Sequence, residues 1–200
     1  MGPRILILAR GYLGSHMSAP GIRATAQARV LAEHVPGAQV TLAGPNDDYE
    51  QPSDGAYRVT RWSARNLLQL TAAHDVVISS MLPPHIAIFY PWKRYVVDLF
   101  SQYAMEWMEV GMQHYEGRHR DAWAERTRAV LGMQLTLADF ILTCNERQRD
   151  SYIGMMTSLG LISPRVYEAD PTLRRYIDSA PHGIRPEPPV PGKRVLRGVR

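Results

Sequence analysis

Gly11 and Gly14 stand just after an apolar run, Ile5-Leu6-Ile7-Leu8, and just before a segment that reads as a helix with Ser18 at its cap and Pro20 in its first turn. Glycines placed there let the backbone approach an anion closely, and the unpaired amides and dipole of a helix amino end attract one. The G-x-x-G spacing lacks the middle glycine of the dinucleotide fingerprint, and no G-K-[ST] follows to make a P-loop. Two readings stand: a phosphate cradle, or a tight strand-to-helix turn with no ligand. Asp98 is the best-placed carboxylate, because it follows the apolar run Arg94 to Val97. An acid at the carboxyl end of a strand in an open α/β sheet projects into the crevice where ligands bind, and it could equally cap the next helix. Asp75 and Asp139 precede their apolar runs, at the amino ends of strands, so neither is a catalytic candidate. Cys144 is the single cysteine, which excludes an internal disulfide and a cysteine-based metal cluster.

Strands and helices alternate around these residues. Short apolar runs at 5–8, 39–43, 74–79, 94–97 and 139–143 read as strands, 57–61 as a third strand on its alternating character, and 178–182 as a last one. In the first helix Ile22, Ala26 and Val30 recur at i, i+4 and i+8, the pattern of a buried face. Residues 64–73 form a short helix with Leu67, Leu68 and Leu70 inward. Residues 101–137 form two helices broken around Tyr115 to Gly117, and the stripe Met105, Met108 and Met112 is expected to fill core. Asn145 with Gln148 resembles a capping box ahead of a helix that runs to Gly160, and Pro171 opens a helix over 170–177. The pattern predicts an α/β fold, a doubly wound Rossmann-like parallel sheet over residues 1–185, followed by a stiff proline-rich linker and basic tail at 186–200.

A chain of 200 residues suits one core and argues against two full domains. Its net charge of +4 sits mostly in the tail, where Lys193, Arg194, Arg197 and Arg200 against Glu187 give +3 and leave +1 for the rest. A nearly neutral body without a basic stripe argues against nucleic acid. The apolar runs are too short to span a bilayer and no signal peptide is visible, so the expected location is the cytoplasm.

The run MSAPGIRATAQARVLAEH, the strand VVDLF, the segment CNERQRDSYIGMMTSLG, and YEADPTLRRYIDSAPHGI with its proline-rich exit together resemble glycosyltransferases of family 4. The resemblance covers nearly the whole chain and is to the amino-terminal, acceptor-side half of the GT-B fold. It implies retaining transfer from a nucleotide-diphosphate sugar, with no metal, no further cofactor and no covalent catalyst on this half. Gly11, Gly14 and Ser15 would approach the donor diphosphate, with Arg10 or Arg23 to offset its charge. Arg23, His85, Asp98, Arg147 and Arg149 would line the acceptor side of the cleft, although Arg147 and Arg149 could instead pair with Glu146 and Asp150. The implied partners are a donor-binding GT-B domain or separate subunit and a carbohydrate or glycolipid acceptor, with peripheral contact to the inner membrane face. The donor domain is not in these 200 residues, so the chain alone is expected to transfer no sugar. A non-catalytic binding or scaffolding module on the same fold is the alternative. A nucleotide-dependent oxidoreductase is disfavoured, because no acid ends the second strand to hold a ribose.

Overall fold

The computed structural model describes residues 2–183; the linker and tail expected at 186–200, and the last residues of the 1–185 domain, lie outside them. Seven parallel strands form one sheet: β1 (Arg4–Leu8), β2 (Gln39–Gly44), β3 (Arg58–Arg61), β4 (Val76–Ser79), β5 (Arg94–Leu99), β6 (Phe140–Thr143) and β7 (Ile177–Ser179), in the order β3-β2-β1-β4-β5-β6-β7. Between them run α1 (Ala19–His34), α2 (Leu67–Ala73), α3 (Pro84–Phe89), α4 (Tyr103–His114), α5 (Arg118–Leu137), α6 (Glu146–Ser158) and α7 (Pro164–Ala169). This is the expected doubly wound Rossmann-like α/β fold.

The strand period divides the core in two. Ile5 and Ile7 of β1, with Val40 and Leu42 of β2, face α1 through Ala24 and Ala28. Leu6 and Leu8 face the other way, joining Val77, Val97, Leu99 and Ile141 beneath Leu67, Ile86, Leu131 and Tyr152 of the later helices. Leu6, Val77, Val97 and Leu99 are wholly buried, each worth about 1.5–3 kcal/mol of hydrophobic stabilisation. The connections after β4 all cross the second face. On the α1 face β5 and β6 therefore carry no helix among the described residues, and Val96, Phe140 and Leu142 stay partly exposed while Val97 and Ile141 are buried.

Several expectations need correction. Ile22 and Val30 point outward, and α1 instead lies against the sheet through Gly21, Ala24 and Ala28, whose small size lets the helix come close. Met105, Met108 and Met112 do share a face, but it is the exposed one. The α4–α5 seam is aromatic: Gly111 leaves room for the Trp123 indole, and Trp123 Nε1 donates to the Trp107 carbonyl over 2.5 Å. The helix expected at 170–177 is a set of turns. Asp170 accepts the amides of Thr172 and Arg175, and the preceding α7 takes both Pro164 and the Ser163 cap. Asn145 caps α6 by accepting from the Gln148 amide at 3.0 Å, while Gln148 accepts from Cys144 rather than Asn145.

Candidate functional site

Strand connections diverge from β1 in one direction and from β4 in the other, which places the topological switch point at the carboxyl ends of these two neighbours. The crevice there is floored by Leu8 to Arg10 and Ile78 to Ser80 and walled by α1. Its interior is occupied by a polar knot. Arg23 reaches inward from α1 and donates through Nε and Nη2 to the two oxygens of Asp98, at 2.6 and 2.8 Å. Its Nη1 donates to the Ala180 carbonyl at 2.9 Å, and Gln27 Nε2 donates to Asp98 at 2.7 Å. The Phe100 ring lies 5.7 Å from the guanidinium. Side-chain exposures of 5% for Arg23 and 6% for Asp98 put the pair inside the protein. Burial opposes the Arg23 charge, and the hydrogen bonds and charge of Asp98 outweigh it, so its pKa rises. The knot leaves a cavity of about 20 Å³, room for a single water.

This arrangement takes Arg23 and Asp98 out of the set of open ligands. Asp98 lies within β5, not beyond its end, and Gln102 holds the cap position of α4, so Asp98 does not cap that helix. Together the two residues tie α1 to β5 and to the exit of β7. Arg149 is likewise buried, donating to the carbonyls of Ile177, at 3.0 Å, and Thr172. Its Nη1 lies 3.9 Å from Glu146, and it fastens α6 to β7. Arg147, in the first turn of α6, is exposed and makes no ion pair among the described residues. His85 is exposed in the first turn of α3, above the end of β4. The loop from β4 to α3, which leads to His85, is held by Gln134, which bonds both the amide and the carbonyl of Leu82, at 2.6 and 3.0 Å.

The glycine turn leans over β2. Asn46 accepts from the Leu13 amide at 2.9 Å and donates to the Leu13 carbonyl at 2.7 Å, and Tyr12 bonds Asp48. Gly14 has φ +136°, a conformation other residues avoid, and a Cβ there would lie 3.0 Å from the Asp48 carbonyl oxygen and 3.1 Å from the Tyr12 ring. A Cβ at Gly11 would lie 3.1 Å from the Gly21 amide and 3.2 Å from Pro20. Both glycines thus serve close packing within the loop and against α1. Ser15 is exposed, and Ser18 occupies the N-cap position without its hydroxyl bonding an amide. Arg10 is exposed at the crevice mouth, its guanidinium 6.0 Å from the Trp62 ring, while Trp62 Nε1 donates to the Ala9 carbonyl at 2.9 Å. Cys144 is half-buried, and burial pushes its thiol pKa up, away from nucleophilic chemistry.

Gln27, Phe100 and Trp62 shape the site without a sequence signal of ligand binding. Gln27 alone was within reach of reasoning, since it shares a helix face with Arg23 at i+4. No protein-family model matches the chain, and no curated protein matches it. No helix among the described residues is long and apolar enough to cross a membrane.

Proposed function

We propose that this chain is the acceptor-side half of a retaining GT-B glycosyltransferase of family 4, completed by a donor-binding half in the same polypeptide or as a separate subunit. The observation that supports the reading is the form of the sheet's carboxyl edge. The switch point, where an open α/β sheet binds its ligand, is closed below by the Arg23–Asp98 knot and holds only about 20 Å³. Ligand-sized space at the switch point itself needs a second wall. In this reading Gly11, Gly14 and Ser15 meet the diphosphate of a nucleotide sugar, and Arg10 supplies the compensating cation. His85 and Arg147 stand on the acceptor side, facing a carbohydrate or a glycolipid. Arg23, Asp98 and Arg149 hold the frame that positions them.

The test is reconstitution. The chain and a donor-side half, purified separately, are incubated with nucleoside-diphosphate sugars and carbohydrate or glycolipid acceptors. Transfer is expected from the mixture and none from the chain alone. Transfer by the chain alone would remove the need for a second half. A folded mixture that transfers nothing would favour a non-catalytic binding module, a reading that gains from Arg23, Asp98, Asn46 and Asp48 being engaged with internal partners.

A further inference from the structure

The connection from β2 to β3, residues 45–57, forms neither helix nor strand, yet it is tied down along its length. Asn46 bonds Leu13 at both its amide and its carbonyl. Gln51 does the same for Val59 at the free edge of β3, donating to the carbonyl at 2.7 Å and accepting from the amide at 2.8 Å. Asp54 accepts from Arg29 of α1 at 2.7 Å. A long connection that is fixed in this way without filling the space beneath it is of the kind that binds ligands. The space is a cavity of about 420 Å³ between this loop and α1, with Leu42, Val59 and Tyr57 among its lining and Gly14 and Ser15 at its lip. That is the size of a small-molecule site. It shares no lining residue with the crevice at the switch point.

Hydrogen bonding and charge identify the guest. Tyr57 lines the cavity at 9% exposure, and its hydroxyl has no hydrogen-bond partner among the described residues. A hydroxyl so deep without a protein partner is placed to bond whatever enters. The charge of the lining is negative. Hydrogen bonds from Tyr12 and Asn46 lower the Asp48 pKa and keep it ionised, and Glu50 has no ion-pair partner among the described residues. Arg29 is spent on Asp54 and Glu33, its guanidinium 5.9 Å from the Tyr57 ring. We propose that the cavity binds an organic ammonium ion, with its charged head toward Asp48 and Glu50 and its apolar body over Leu42 and Val59. The ammonium N–H groups match the acceptors present, the Glu50 carboxylate and the Tyr57 and Ser15 hydroxyls. An anion would meet two carboxylates and an arginine already neutralised. An uncharged sugar would leave the charge of the lining unanswered. This site stands apart from the sugar transfer proposed above and does not depend on it.

Amide NMR titration of the full chain with butylammonium is the test. Saturable shifts are expected at Gly14, Ser15, Thr25 and Glu50, and butanol, the uncharged counterpart, should bind about tenfold more weakly. Glu50→Gln and Tyr57→Phe, which preserve side-chain size, should each weaken the ammonium by about fivefold. Glu109→Gln, which removes an exposed carboxylate on α4, should change nothing. The absence of a saturable shift overturns the proposal, as does butanol or glucose binding as tightly as butylammonium at these residues. Inorganic phosphate saturating Gly14 and Ser15 overturns it in favour of an anion site. Unchanged affinity in Glu50→Gln or in Tyr57→Phe, or a loss in Glu109→Gln, would show that surface carboxylates at large gather the ammonium, and overturns it too.

Discussion

Arg23 and Asp98 lie 75 residues apart in sequence and meet inside the protein, with both carboxylate oxygens and all three guanidinium nitrogens engaged. Removing one partner of such a pair leaves the other charge buried alone, at a cost of about 3–5 kcal/mol, whereas replacing both by apolar groups is often nearly neutral. Arg23→Met should therefore lower the unfolding free energy by about that much, and Arg23→Met with Asp98→Leu should recover most of it, as read from urea denaturation. Additive losses would show that the two side chains do not act as a unit. The position of Asp98 at the crevice was legible because an acid closing an apolar run is a local pattern. Its partner was not, since a contact across 75 residues leaves no mark in either neighbourhood. For the same reason Arg149 looked like a cleft cation, when its hydrogen bonds go to carbonyls of a turn that the sequence presents as a helix.

The strands were legible to within about two residues at most ends, because short runs rich in β-branched and apolar residues, bounded by polar ones, have few other uses in a chain of this size. The break between α4 and α5 was equally plain, since the helical pattern lapses at Tyr115 to Gly117. The facing of α1 was not, because small residues bury as readily as large ones where a helix lies close to a sheet, and hydrophobic periodicity weights the large. The turn from β1 to α1 likewise owes its shape to a distant partner, Asn46, whose amide holds Leu13 at both its N–H and its C=O. Asn46→Ala should cost about 1–3 kcal/mol, because it strands two partly buried backbone groups. Hydrogen exchange should quicken at Tyr12 to Met17 and stay unchanged at β6. Uniform quickening would mean that the loop and the sheet open together.

The stability of the whole molecule should depend on pH in two separable steps. His74 is buried at the end of α2, its Nδ1 bonded to the Leu70 carbonyl at 2.6 Å and its Nε2 to the Thr41 hydroxyl at 2.9 Å. Since a carbonyl only accepts, Nδ1 carries a proton. Burial lowers its pKa below the ordinary 6.5, so the unfolded chain takes up a proton that the folded chain refuses. Stability is full above that value and falls as pH drops through it. A second decline belongs to Asp75 and Glu146, whose pKa values are lowered from 3.8 and 4.5, in each case chiefly by a hydrogen bond from an arginine. These groups are exposed, so high salt should blunt the second step and spare the first. Thermal melts between neutral pH and about pH 5 would show the first step, and His74→Gln should flatten it. The outermost strands of the sheet have a consequence for what the protein cannot become. β7 offers three residues, and β3 offers four with Arg58 and Arg61 at its ends, so neither margin is a template for another chain's backbone. Among the described residues, growth by strand addition is therefore disfavoured at both margins of the sheet.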